Sequence, residues 1–325
     1  MEIIAIANHK GGCGKTTTAI NLSYSLTLEN KRVLLVDFDP QGHTTLGLNI
    51  DPDRLNYSVF EALIPNSSID IDNIKLNPYK YLDLLPANMK LSFLEQLLSG
   101  KKQREYRLKN LLAKFSKKYD FIIIDTPPAL GLLTINALLA ANRVIVPLEP
   151  SNFALHGVQK IGETLELLHK KLGHAPKLRF LFTLFNEQSQ FNKDFLEVIG
   201  QALEKELFET RISYHDAYRD ASILGLPVYE YTKHKDVSRD YLSLADEVLN
   251  WSKNKKKKYI TKLPKAKKLV VPFTKKLAEA FEQTSHIEYI KKANSDVSYR
   301  YMLDTDGQIS FLRLENIKVS GKVLN

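Results

Sequence analysis

A single cysteine in 325 residues rules out an internal disulfide framework and suits a reducing compartment. No apolar run approaches the length of a membrane span. The first strand reads from the second residue onward, which leaves no room for a cleaved signal, so the expected location is the cytoplasm. The eight histidines show no metal-ligand spacing, and no internal repeat is visible. What the chain does have is 44% apolar residues and the length to bury one large core with residues to spare.

Residues 10–17 read Lys-Gly-Gly-Cys-Gly-Lys-Thr-Thr and directly follow the apolar run Ile3-Ile4-Ala5-Ile6-Ala7. A strand that ends in a glycine-rich loop and feeds a helix is a phosphate cradle: glycines let successive N–H groups point inward, and the helix N-terminus adds its positive dipole end. Gly11, Gly12, Cys13, Gly14, Lys15, Thr16 and Thr17 are therefore the candidate nucleotide-binding residues. Lys15 would reach the β- and γ-phosphates, and the Thr16 hydroxyl would ligate Mg²⁺. Cys13 reads as a small loop-filling residue, since no Cys-His pairing supports a catalytic thiol. The usual loop has a glycine where His9 stands. A second lysine, Lys10, opens this one.

Two further blocks end apolar runs in carboxylates: Val33-Leu34-Leu35-Val36-Asp37-Phe38-Asp39-Pro40-Gln41-Gly42 and Phe121-Ile122-Ile123-Ile124-Asp125-Thr126-Pro127-Pro128. Together with the loop they resemble the ParA/MinD family of P-loop ATPases, whose deviant Walker A motif is Lys-Gly-Gly-x-Gly-Lys-Thr. The resemblance covers about Met1 to Trp251 and leans to the short ParA/Soj group of partition ATPases. It implies that Lys10 reaches across a nucleotide-sandwich dimer to the partner's phosphates, and that Asp39 orients the attacking water. It also implies that Asp125 acts on the metal as a Walker B acid. Asp37, on Asp39's side of the strand, either holds a water on Mg²⁺ or caps a turn. ATP and Mg²⁺ are the implied cofactors, and Asn186 is the candidate for facing the adenine.

The coarse pattern alternates strand and helix. Strands read at Glu2–Asn8, Arg32–Asp37, Tyr81–Leu85, Phe121–Asp125, Arg143–Leu148 and Leu178–Leu184. Helices read at Lys15–Leu28, Met89–Leu98, Arg104–Ser116, Leu132–Ala141, Phe153–Leu172, Lys193–Glu206 and Asp236–Lys253. Continuous aliphatic strands with helices between them predict a doubly wound, mostly parallel α/β sheet. Such sheets bind ligands at the C-terminal ends of their strands, so the three carboxylates should converge on one crevice.

Charge is distributed unevenly. After Trp251 come 17 Lys and Arg against 7 Asp and Glu, which leaves 29 against 30 in residues 1–251. The expected organisation is an ATPase domain over 1–251, a lysine-rich linker over 252–271 and a small α+β extension over 272–325. Within the extension a helix reads at Pro272–Lys292, followed by strands at Ser298–Leu303 and Gln308–Leu314. Lys255, Lys256, Lys257 and Lys258 form the densest block, which either contacts DNA phosphates or is a solvated linker. The resemblance implies DNA contacts near the end of the ATPase domain, for which Arg219, Lys233, Lys235 and Arg239 are the candidates. Arg219 reads equally as a structural ion pair, because acids flank it. Relatives commonly carry arginine where Tyr214 stands and asparagine where His43 stands.

The expected function is an ATP-dependent DNA partition ATPase, plasmid or chromosomal. It would dimerise around ATP, bind nucleoid DNA nonspecifically and hydrolyse slowly until a ParB-like partner intervenes. Positioning of a protein cargo, or a nucleotide-switched regulator without DNA binding, are the alternatives. The tail offers no clean amphipathic helix of the MinD kind, so no membrane partner is expected.

Overall fold

The computed structural model describes residues 1–251 except 66, 116, 152–153, 204–205 and 233–234, together with 297–303 and 309–315. Side chains of 155, 156, 198, 201, 202, 235, 236 and of both C-terminal strands also lie outside the description. The chain divides into two units, 1–263 and 264–325.

Eight strands form the sheet of the first unit: β1 (Glu2–Ile6), β2 (Val33–Asp37), β3 (Leu76–Tyr79), β4 (Leu82–Leu85), β5 (Phe121–Asp125), β6 (Arg143–Leu148), β7 (Lys177–Phe185) and β8 (Leu207–Ser213). Their order across the sheet is β3-β4-β2-β5-β1-β6-β7-β8. Every adjacent pair is parallel except β3 with β4. β2, β5 and β6 are buried along their whole length, as their largely aliphatic sequences demand when helices cover both faces.

The helices are α1 (Lys15–Leu28), α2 (His43–Leu46), α3 (Val59–Leu63), α4 (Leu94–Leu97), α5 (Arg107–Ala113), α6 (Leu132–Ala140), α7 (Ala154–Leu172), α8 (Gln190–Leu203), α9 (Asp216–Ile223), α10 (Val228–Tyr231) and α11 (Lys235–Trp251). α1 is nearly all buried. It lies between the sheet and α11, where Thr18 meets Tyr241 at 3.3 Å between hydroxyls. At the far end of α11, Trp251 lies edge-on to Phe208 and faces the guanidinium groups of Arg143 and Arg179.

β1 is flanked by β5 and β6, strands formed more than a hundred residues later. This is where the strand order reverses, so the crevice opens at the C-terminal end of β1. The fold is thus the doubly wound, mostly parallel sheet read from the sequence.

Several boundaries differ. β3 and β8 have no counterpart in the sequence reading: β3 carries Pro78, and β8 is an edge strand whose Glu209 and Arg211 face solvent. Neither has a continuous apolar run. Arg104–Ser116 is a 3₁₀ turn at Arg104–Tyr106 followed by α5. Met89–Leu98 is likewise a 3₁₀ segment, Met89–Phe93, followed by α4. The helix read at Lys193–Glu206 starts at Gln190 instead, because Ser189 ends the preceding turn and its carbonyl takes the Lys193 N–H.

In the second unit, β9 (Val297–Leu303) and β10 (Ile309–Glu315) pair antiparallel, from Val297 opposite Glu315 to Leu303 opposite Ile309. The linker at 252–271 and the helix expected at Pro272–Lys292 lie outside the described residues.

Candidate functional site

The loop between β1 and α1 wraps the end of the sheet. Gly12 and Gly14 sit at φ 72° and 81°, left-handed conformations that a side chain would strain, and Gly14 caps α1. The loop is tied down from both sides. Thr183 on β7 donates to the Cys13 carbonyl at 2.9 Å. Asn8, fully enclosed, donates to the Pro147 carbonyl at 2.6 Å and accepts the Lys10 N–H at 3.1 Å. Gly157 on α7 makes room for it, since a Cβ there would stand 2.8 Å from the Asn8 Oδ1. The Cys13 thiol donates to the Lys10 carbonyl at 3.2 Å, and burial pushes its pKa up. It is a packed group, not an exposed nucleophile.

The two lysines of the loop do different things. The Lys15 ammonium folds inward onto the Lys10 carbonyl at 2.8 Å. The Lys10 ammonium instead reaches past the end of β6, where it bonds Glu149 and donates to the Ser151 hydroxyl at 3.1 Å.

The carboxylates converge as their positions at strand ends require. Asp37 and Asp125 are register partners on β2 and β5, and both are fully buried. Asp125 Oδ2 accepts from the Thr16 and Thr44 hydroxyls, each at 2.7 Å. Its Oδ1 is buried with no partner among the described residues. Burial raises its pKa to about 6 against the pull of those two hydroxyls. Asp37 accepts from the Thr45 N–H at 2.9 Å and hydroxyl at 2.7 Å, and from the Asp39 N–H at 3.2 Å. Burial first, and the neighbouring Asp125 second, raise it to about 7. Asp39, also buried, accepts the Gln41 N–H at 3.0 Å. Thr45 carries the arrangement across to the segment after β4 by accepting the Ala87 N–H at 3.1 Å.

Two buried carboxylates side by side are costly unless a cation joins them. The orphaned Asp125 Oδ1 is the atom that a divalent metal, or a water on it, would satisfy. The Thr16 hydroxyl at the mouth of the phosphate cradle supplies a second oxygen beside it. The residues present therefore fit a magnesium–nucleotide pair.

Sequence reasoning passed over Asn8, Thr44, Thr45, Glu149, Ser151 and Thr183. Glu149 had a visible signal: like Asp37 and Asp125, it follows an apolar strand. The hydroxyls had none, because nothing in a linear reading folds Thr44 back onto Asp125.

The outlying candidates are less tightly placed. Asn186 follows β7 and is exposed, its side-chain oxygen taking the Gln188 N–H at 2.9 Å in a local turn. Arg219 is 72% exposed and lies 3.6 Å from Asp216 and 4.0 Å from Asp220. Arg239 is exposed on α11. Lys233, Lys255, Lys256, Lys257 and Lys258, and the side chain of Lys235, lie outside the described residues. No helix among the described residues is long and apolar enough to cross a membrane.

Residues 1–179 match a protein-family model described as an AAA domain. The chain is 36% identical over 249 residues to the chromosome partitioning protein ParA of Myxococcus xanthus, covering 76% of this chain and 88% of that one. It is 37% identical over 248 residues to the sporulation initiation inhibitor protein Soj of Bacillus subtilis, covering 76% and 98%. Among solved structures it is similar to the cobyrinic acid a,c-diamide synthase of Mycobacterium smegmatis with bound ADP and magnesium. There the identity is 34%, the coverage 79% and 97%, and the TM-score 0.68.

Proposed function

The chain belongs to the ParA/MinD family of P-loop ATPases, on its ParA/Soj branch, and we propose that it is a magnesium-dependent ATPase that partitions DNA. ATP would lie along the glycine loop with its phosphates at the N-terminus of α1. Thr16 and Asp125 would hold Mg²⁺, with Asp37 behind them, and the metal would offset charge building up on the phosphate oxygens. Lys15 leaves the Lys10 carbonyl for the β- and γ-phosphates. Asp39, held at the end of β2, orients the water.

The observation that carries the reading is the separation of the two lysines. Lys15 serves its own chain's cradle, while the Lys10 ammonium sits on Glu149 and Ser151 at the rim. From the rim it can be delivered to a nucleotide on a second copy. ATP then joins two subunits, and ligand binding is coupled to association. The dimer binds nucleoid DNA in the cytoplasm without sequence preference, through Arg219, Lys233, Lys235, Arg239 and the lysines at 255–258. A ParB-like partner stimulates the slow hydrolysis and releases the DNA.

The test is Asp39→Asn in the full chain. ATP binding and ATP-dependent dimerisation should persist while turnover falls on the order of 100-fold or more, the usual worth of a positioned general base or orienting group. Wild-type turnover in this variant would remove Asp39 from the mechanism. Loss of nucleotide binding would make its role structural.

A further inference from the structure

Away from the nucleotide crevice, a second concavity of about 320 Å³ opens beside α5. Lys102, Gln103, Arg107, Asn110 and Lys114 line it, over an apolar floor that includes Leu111. Arg107, Asn110 and Lys114 stand at i, i+3 and i+7, so the helix presents them on one side while Leu108, Leu111 and Leu112 anchor it to the core. Lys102 and Gln103 come from the preceding loop.

No carboxylate lines this cavity. None of Lys102, Arg107 and Lys114 has an ion pair among the described residues, although ion pairs are common elsewhere on this surface. Three like charges facing one concavity repel one another, and low-dielectric walls concentrate their field there.

The platform is also held firmly. Gln103 takes a left-handed conformation, φ 57°, that is unusual for a residue with a side chain. Asn136 on α6, fully buried, donates to the Arg104 carbonyl at 3.1 Å and accepts the Leu108 N–H at 3.1 Å. It thereby pins the loop and the first turn of α5 together. Cations held in a shaped, amide-lined recess suit a compact group with several negative oxygens better than a diffuse attraction to a flat surface.

We propose that this cavity is a second phosphate-binding site, independent of the glycine loop, which takes a small multiply charged phosphate group. Arg107 supplies bidentate geometry, Lys102 and Lys114 supply point charges, and the side-chain amides of Gln103 and Asn110 donate hydrogen bonds.

Isothermal titration of inorganic tripolyphosphate into the full chain, its glycine loop saturated with ADP, tests this. One further saturable site is expected. Arg107→Glu and Lys114→Glu should each weaken it at least about tenfold, whereas Lys109→Glu, an equal charge change on α5 outside the cavity, should leave it within about twofold. Thermal unfolding of each variant checks the fold, and Lys114→Glu, at the exposed end of the helix, carries the test should Arg107→Glu not fold. Absence of a further site, or a site indifferent to Arg107 and Lys114, or one weakened alike by all three substitutions, overturns the proposal. A short DNA duplex then identifies the source of the phosphate. Displacement of tripolyphosphate assigns the site to backbone phosphate, no displacement assigns it to a free anion, and both outcomes uphold it.

Discussion

Lys10 is held within its own chain by Glu149 and Ser151, both just beyond the end of β6. On the proposed mechanism the ammonium has first to leave this pair to reach a second subunit, so the pair would oppose dimerisation. Glu149→Gln removes the charge and keeps the shape. The expected result is ATP-dependent dimerisation at lower protein concentration, by about threefold to tenfold, read by analytical ultracentrifugation against wild type. An unchanged dimerisation curve would mean that Glu149 does not compete for Lys10. At this scale the sequence was legible where a carboxylate closes an apolar run, as Asp37 and Asp125 do, with Asp39 found by its place in the family's block, and all three gather at one end of the sheet. Glu149 follows β6 directly, between Leu148 and Pro150, but belongs to none of the three blocks that carry the family resemblance. Thr44 and Thr45 were invisible because α2 is only four residues long and has no periodicity to read.

α11 is the element that closes the domain over α1. Its Tyr241 is fully buried, meets the Thr18 hydroxyl at 3.3 Å and stacks edge-on with Tyr218 of α9. Tyr241→Ala should cost about 3–5 kcal/mol of stability, as large-to-small aromatic truncations in cores do. Urea unfolding of the full chain measures it. A loss under about 1 kcal/mol would mean that α11 is dispensable to the core. The turn after α9 depends on a glycine for a different reason: Gly225 lies at φ 66°, and a Cβ would stand 2.6 Å from the Asn49 nitrogen. Central strands were legible because burial on both faces forces aliphatic runs, as in Phe121-Ile122-Ile123-Ile124. β8 was not, since an edge strand that shows Glu209 and Arg211 to water has no reason to be continuously apolar. The antiparallel pairing of β9 and β10 was legible from the two strand runs read on either side of Asp304-Thr305-Asp306-Gly307, a stretch that lies outside the described residues.

Across the whole molecule, charge and chemistry are divided along the chain. The first 251 residues carry the nucleotide crevice and almost no net charge, while the last 74 carry the entire basic excess. On the proposed function, an ATPase domain near neutrality would gain DNA affinity most readily by doubling its contacts in a dimer, and the lysine block would add attraction that is indifferent to sequence. That division was legible in composition alone. The work of the extension beyond its strand pair was not, because charge density alone carries no geometry.

Nucleotide control of DNA binding is the central claim, and it is measured by titrating a fluorescent DNA duplex with the full chain, with ATP or with ADP, across a salt series. The account predicts binding with ATP, at least about tenfold weaker binding with ADP, and a log–log salt slope that steepens by about 0.9 for each added phosphate contact in the dimer. Equal affinity and equal slope with the two nucleotides would contradict it. The lysine block would then be the DNA element, and ATP would govern something else.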